Sequence, residues 1–600
     1  MAQKQKTRSE IDKNYQWDLS TIYGSIDEWN KEYISTKDKL PSLTKYKGSL
    51  LKDANTLLEF LNLDTEINRK LDKLFSYAHL LNDEDTTNTK NQELFGKIVN
   101  LNNEYSKITT FVKPELLKSN YEQIKAFYKD LPELKEYEVL LEEIYRYKEH
   151  TLDEREERIV AELNKSLSSP SEIFEKLTDA DMKFPDIVDE NGNSVEFTES
   201  NYSIFIRSKD RRVRKDAFNI LHNTYGKYKN TLSETYASLV EVEVALSKIY
   251  NFESAIKMSL FDDNIDVSVY DNLVKTVNEN LKELYKYYDL RKKILNLDEQ
   301  HLYDTYVSLV EDDNKNYTFS EAKDLVLKAL SVLGDDYVEI LNKAFDEKWI
   351  DVFNNVGKRS GAYSSGCYDT NPFILLNFEG KLDDVSTLSH ELGHSVHSYF
   401  SREFNSYQNA SYKIFVAEVA STVNELLLNN YMLKNTSDKN EKLSILNKQL
   451  ELFKSTIFRQ TMFAEFERDM HALVEQNGVL TNEVLCDAYY KLVKKYFGDS
   501  VYIDEAIKYE WSRIPHFYYN FYVYKYATGL SAAAFIASQI LSGNKEYIEK
   551  YKNFLKLGGS MYPIDELKQI DIDMTKKEVV ESAIEMFKNT LEEFEKLIDS

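Results

Sequence analysis

Residues 385–394 read Val385-Ser386-Thr387-Leu388-Ser389-His390-Glu391-Leu392-Gly393-His394, an H-E-x-x-H pattern. On a helix, His390 and His394 stand one turn apart and face the same way. Two imidazoles so placed can bind one Zn²⁺ ion at ~2.0–2.1 Å. Glu391 then projects beside the ion, where a carboxylate can take a proton from a metal-activated water and hand it to a leaving amine. Asp383 or Asp384 suits the start of that helix, where backbone N–H groups lack partners.

A catalytic zinc site needs a third protein ligand and an open position. The extended pattern H-E-x-x-H-x-x-G-x-x-H fails, because position 397 is His397 and position 400 is Phe400. His397 lies about two turns from His390, so it reads as a packed or outer side chain rather than a ligand. The next apolar run, Phe415-Val416-Ala417-Glu418-Val419-Ala420-Ser421-Thr422-Val423-Asn424-Glu425, offers a better one. Glu418, Ser421, Thr422 and Glu425 share one helix face. Carboxylates on an otherwise apolar helix are costly unless paired or bound to metal. Glu418 is the candidate ligand, and Glu425 the candidate for orienting a ligand histidine through its other ring nitrogen. Two solvated glutamates on a surface helix fit the spacing equally well.

Upstream, the texture is irregular. Five of the 17 glycines fall within 357–393, and residues 362–368 and 373–378 read as strands of a small sheet. Farther out, apolar residues recur at three- and four-residue spacing, with long helices over 207–250 and 267–295. Residues 184–197, with Asp189-Glu190-Asn191-Gly192-Asn193 between short apolar runs, read as a hairpin. Three regions follow: a disordered tail at 1–15, an N-terminal helical domain at 16–200 and a catalytic domain at 201–600.

Composition agrees. Only 17 glycines and 8 prolines in 600 residues leave few helix breakers. Lys and Arg number 76 against 101 Asp and Glu, a net charge of −25, which argues against nucleic-acid binding by phosphate neutralisation. No run of 18 apolar residues reads as a membrane span. Two cysteines make no disulfide framework, and the polar N-terminus carries no secretory pattern, so the expected compartment is the cytoplasm. The basic stretch 211–215 reads as a solvated helix face, His471 and Arg459 as packing or ion-pair residues, and Cys367 as a small buried hydrophobe.

HELGH at 390–394, FVAEVAST at 415–422 and Glu425, with GKRSGAYSSG (357–366), FILLNF (373–378), FRQTMFAEFERDMH (458–471), PHFYYNFYVYKYATG (515–529) and LGGSMYPIDELK (557–568), resemble the M3 family of zinc oligopeptidases, most closely its oligoendopeptidase F branch. The resemblance covers most of the chain. It implies a mainly α, large helical two-lobed zinc peptidase fold with a small β-sheet next to the active site. It also implies one Zn²⁺ per chain on His390, His394 and Glu418, with Glu391 as general base. The family uses a His/Tyr-rich segment beyond the zinc helices. Carried over, this makes His516 and Tyr526, then Tyr522, the candidates for stabilising the oxyanion that forms at the attacked carbonyl. A peptide could pair with an exposed strand edge at Gly361, Ala362, Tyr363 and Gly366, which favours broad specificity.

The function that follows is zinc-dependent endopeptidase hydrolysis of short oligopeptides, without nucleic-acid or membrane partners. A zinc carboxypeptidase of related helical fold is the first alternative. It needs a cation for the substrate's terminal carboxylate, and Arg513 and Lys525 are available in sequence. A non-catalytic peptide-binding scaffold that kept the metal site is the second.

Overall fold

Helices begin where side chains can satisfy their first N–H groups. Asp53 accepts from the Thr56 N–H at 2.8 Å and opens a 31-residue helix, Ala54–Glu84. Its buried stripe includes Leu57, Phe60, Leu61, Ile67, Leu71, Leu74 and Ala78. The same logic recurs along a computed structural model that describes residues 5–311 and 315–600. Over the described residues the molecule is mainly α, with two small sheets. Among the described residues, no helix is long and apolar enough to cross a membrane.

The chain divides into two units that interleave in sequence. The first comprises Met1–Lys148, Asn314–Asn435 and Ile536–Asp571; the second comprises Glu149–Asp313, Thr436–Phe535 and Ile572–Ser600. The sequence reading placed the boundary between its two domains at residues 200 and 201.

The second unit holds the expected hairpin, β1 (Ile187–Val188) paired antiparallel with β2 (Ser194–Val195). Its two long helical stretches are each broken. Arg211–Lys227 and Lys229–Ile249 are separated at Tyr228 (φ −101°, ψ 8°), and Val267–Glu279 and Leu281–Ile294 at Asn280 (φ −115°, ψ 12°). The basic stretch 211–215 is not simply a solvated face. Arg211 and Arg214 both pair with the buried Asp304, at 2.8 and 2.7 Å. Such a charge can be buried only because two guanidiniums meet it. Arg459 pairs with Glu510 at 2.6 Å and His471 meets Glu243 at 2.7 Å.

In the first unit, one apolar cluster runs from Trp17 through Trp29, Phe60, Leu74 and Tyr145 to Phe373 and Leu375. The second sheet lies against it. β3 (Ile350–Asp351) runs parallel to the central β5 (Phe373–Leu375), and β4 (Tyr363–Ser365) pairs antiparallel on its other side. All three residues of β5 are buried, so the strand reads as a continuous apolar run rather than an alternation. Both expected strands are shorter than 362–368 and 373–378. β4 ends where Gly366 and a turn closed by Thr370 N–H to Cys367 C=O (3.1 Å) take the chain off the ladder.

The expected disordered tail is not free where the structure describes it; residues 1–4 lie outside the described residues. Ile11 is buried, and Arg8 pairs with Glu84 at 2.9 Å and Asp351 at 2.5 Å.

Glu566, in the helix Pro563–Lys568, is a buried carboxyl whose Oε1 has no hydrogen-bond partner among the described residues. Burial pushes its pKa up to about 8. Between the ordinary glutamate range and that value, the folded chain holds a proton that the unfolded chain releases, so stability falls as pH rises through the window. Glu566→Gln, isosteric with the neutral acid, is expected to match the parent near pH 5. At pH 8 it should gain on the order of 3 kcal/mol. Thermal melts of both proteins across pH 5–8 check this; parallel curves would contradict it.

Candidate metal centre and catalytic site

The motif lies on the helix Leu382–Phe404, whose first turn carries Asp383 and Asp384. The Asp384 carboxylate accepts the Lys381 N–H at 2.7 Å, capping the helix start. The second carboxylate helix is Ile414–Asn435. The two pack at Gly393, where a Cβ would stand 2.6 Å from Ser421 Cα and 2.8 Å from the Ala420 carbonyl oxygen. Asn424 fixes the same contact, donating to the Ser389 carbonyl at 3.1 Å and accepting from Tyr337 at 2.8 Å.

That approach brings His390, His394 and Glu418 together, with one donor atom from each within 4.8 Å of the others. His390 Nε2 lies 3.2 Å from His394 Nε2 and 3.3 Å from Glu418 Oε2, and His394 Nε2 lies 3.6 Å from the same oxygen. Donors ~2.0–2.1 Å from one tetrahedral ion stand ~3.3–3.4 Å apart, so this triangle has the size a zinc ion requires. The two Nε2 atoms lie within hydrogen-bond distance of each other, a spacing that either one shared proton or one common ion satisfies.

Two of the three donors are braced from behind. His390 Nδ1 meets Glu425 Oε1 at 2.6 Å, and Ser386 donates to Glu425 Oε2 at 3.0 Å. Glu418 Oε2 accepts from Ser421 at 3.2 Å. Neither serine was singled out for these roles: Ser421 sits within one turn of Glu418, a spacing open to inspection, whereas Ser386 reaches Glu425 across to the other helix.

The electrostatics are uneven. Burial opposes charge on His390, but hydrogen bonds to Glu418 and Glu425 outweigh it and carry the pKa up to about 10. Burial and the neighbouring His390 charge push His394 down to about 4. Burial opposes charge on Glu418 too, yet the His390 hydrogen bond and the histidine charges hold it well below the usual carboxylate range. Glu391 is buried, which lifts it to about 7 against the pull of His390, and it accepts a hydrogen bond from the Ser364 backbone. That bond ties the motif to β4. Ser364 and Ser395 hydroxyls, 2.8 Å apart, make a second tie.

His397 is buried and stacked on Tyr412, with centroids 3.8 Å apart and planes 2° from parallel. It stands outside the donor triangle. Gly361, Ala362, Tyr363 and Gly366 lie on or beside β4, an outer strand that pairs, among the described residues, with β5. Tyr363 donates to Asp83 at 3.0 Å. Burial raises the Cys367 thiol pKa, so its thiolate is disfavoured.

His516, Tyr522 and Tyr526 belong to the second unit and cluster there. His516 Nε2 is 3.2 Å from the Tyr526 hydroxyl, and the His516 ring lies 6.4 Å from that of Tyr522. Tyr518 packs instead, stacked on Phe174 at 4.3 Å.

The family model of peptidase family M3 matches residues 204–586, and that of oligopeptidase F matches residues 115–184. Oligopeptidase PepF of Bacillus subtilis is 46% identical over 98% of this chain and 88% of its own. Group B oligopeptidase PepB of Streptococcus agalactiae is 39% identical over 98% of each. A crystal structure from Chlamydophila abortus superposes with a TM-score of 0.94 at 37% identity, covering 99% of this chain and 100% of that one. Oligoendopeptidase-F from Enterococcus faecium gives 0.74 at 36% identity, covering 96% and 99%.

Proposed function

The chain belongs to peptidase family M3 and is a peptidase, and from that premise we propose that it is a zinc-dependent endopeptidase acting on short oligopeptides. The observation that carries the reading is the triangle of His390, His394 and Glu418 with Glu391 on the same helix.

In this mechanism His390, His394 and Glu418 hold the ion. When bound, zinc supplies Lewis acidity toward the attacking water and the scissile carbonyl. Glu391, steadied by the Ser364 N–H, takes the water's proton on its carboxylate and delivers it to the departing amine. His516 and Tyr526 donate hydrogen bonds to the oxyanion, with Tyr522 as the next candidate. The outer edge of β4, at Gly361, Ala362, Tyr363 and Gly366, pairs with the peptide backbone. Backbone pairing reads no side chain, which suits broad specificity. Composition supports a cytoplasmic enzyme without nucleic-acid partners.

The carboxypeptidase alternative is less well supported. Arg513 is engaged by Glu199 at 3.0 Å, and Lys525 by Asp263 at 2.7 Å. Digestion of a peptide blocked at its C-terminus, followed by mass spectrometry, tests the choice. Internal cuts are expected, abolished by a chelator and restored by zinc. Failure to cut the blocked peptide while the free one is trimmed from its end would overturn the endopeptidase reading.

Glu425→Gln is expected to weaken zinc binding by about 10–100-fold, because it removes the carboxylate that orients His390. Competition against a calibrated chelator measures this. Unchanged affinity would remove Glu425 from the metal centre.

A further inference from the structure

Two adjacent residues between His516 and Tyr526 hold left-handed backbone: Asn520 at φ +37° and Phe521 at φ +54°. Neither is glycine, and for a residue as bulky as Phe the conformation is a true outlier. Strain of this kind persists only where surrounding structure enforces it. The enforcing groups are specific. The Phe521 N–H donates to Glu467 Oε1 at 2.6 Å, and Ser259 donates to the Asn520 carbonyl at 2.7 Å. The Phe521 ring is buried, 4.5 Å from the His471 ring and edge-on to Tyr270 at 5.9 Å.

Glu467 is costly where it stands. It lies in the helix Gln460–Glu475, fully buried, and its Oε2 has no hydrogen-bond partner among the described residues. The charged neighbour on its own helix, His471, bonds the Glu467 backbone carbonyl at 2.8 Å and spends its other nitrogen on Glu243. Burial lifts the Glu467 carboxyl to about 8, so near neutrality it is mostly an uncharged acid. A buried neutral acid with one oxygen on a strained peptide N–H is an anchor rather than an ion-pair partner.

We propose that Glu467 is a positioning residue, which locks the Asn520–Phe521 kink and thereby fixes His516 and Tyr526 in the geometry for transition-state stabilisation. The inference rests on the oxyanion role assigned above to those two residues. The kink lies four residues after His516 and five before Tyr526. A change in its backbone would therefore separate a pair now 3.2 Å apart.

The test compares Glu467→Leu, Glu467→Gln, Ser259→Ala and Tyr526→Phe in the zinc-loaded full chain, measuring kcat and KM on one peptide and a melting curve for each. Misplacing the donors should lower kcat of Glu467→Leu by about 10–100-fold with KM little changed. Glu467→Gln keeps a carbonyl acceptor for the Phe521 N–H and should recover to within about threefold. Ser259→Ala spares the buried pocket and covers the case in which Glu467→Leu fails to fold. Loss of one tether should cost about three- to tenfold in kcat. Tyr526→Phe with Glu467→Leu should lose less than the product of the single effects, since both act through the His516–Tyr526 pair. Full kcat in folded Glu467→Leu or Ser259→Ala, beside a slow Tyr526→Phe, would overturn the positioning role and leave the oxyanion reading intact. Full kcat in Tyr526→Phe would instead remove the reading on which it rests.

Discussion

Glu391→Gln is expected to cut peptide turnover by about 10²–10⁴-fold while leaving the fold and bound zinc in place. Gln has the shape of Glu and can still accept the Ser364 N–H, so the tie between the motif helix and β4 survives. It cannot take a proton. The donor triangle of His390, His394 and Glu418 does not use this side chain, so metal content should not move. Turnover per zinc is therefore the deciding quantity. Loss of activity together with zinc would assign Glu391 a structural role, and retained activity would remove it as the base. The same variant tests the scaffold alternative, since a protein that only binds peptides shows no turnover to lose.

Gly393→Leu is expected to do comparable damage by another route. Even the first side-chain carbon would collide with Ser421 Cα and the Ala420 carbonyl, both backbone atoms that cannot rotate away. The helix Ile414–Asn435 must then move off the motif helix, taking Glu418 with it. Overpacking of this sort costs about 1–3 kcal/mol of stability. Zinc affinity should fall by more than the roughly 10–100-fold expected for losing an outer partner such as Glu425. Isothermal titration with zinc on protein shown to be folded measures this. Unchanged affinity would mean that the close helix contact does not set the position of Glu418.

The helical character was legible because it is written in local terms: scarce glycine and proline, and apolar residues at three- and four-residue spacing. The motif histidines were legible for the same reason, since four residues always make one turn. Glu418 was visible as a carboxylate out of place on an apolar helix, but spacing could not say where that helix packs. The answer lies in Gly393 and Ser421, 28 positions apart, and in Tyr337, still farther away. The basic stretch 211–215 misled because its partner, Asp304, is about ninety residues downstream and buried. The N-terminal residues looked unanchored because the Arg8 partners are Glu84 and Asp351. The kink at Asn520 and Phe521 carries no glycine to announce it, and the anchor at Glu467 lies over fifty residues earlier. What escaped sequence reading in each case is a pairing between distant positions.

Zinc stoichiometry is the most direct test. Protein loaded with zinc and dialysed against metal-free buffer should carry one ion per chain by elemental analysis. Glu391→Gln should carry the same, and Glu418→Ala far less than one. A parent protein that never holds stoichiometric zinc, or a Glu418→Ala variant that holds it as firmly as the parent, would contradict the His390–His394–Glu418 centre.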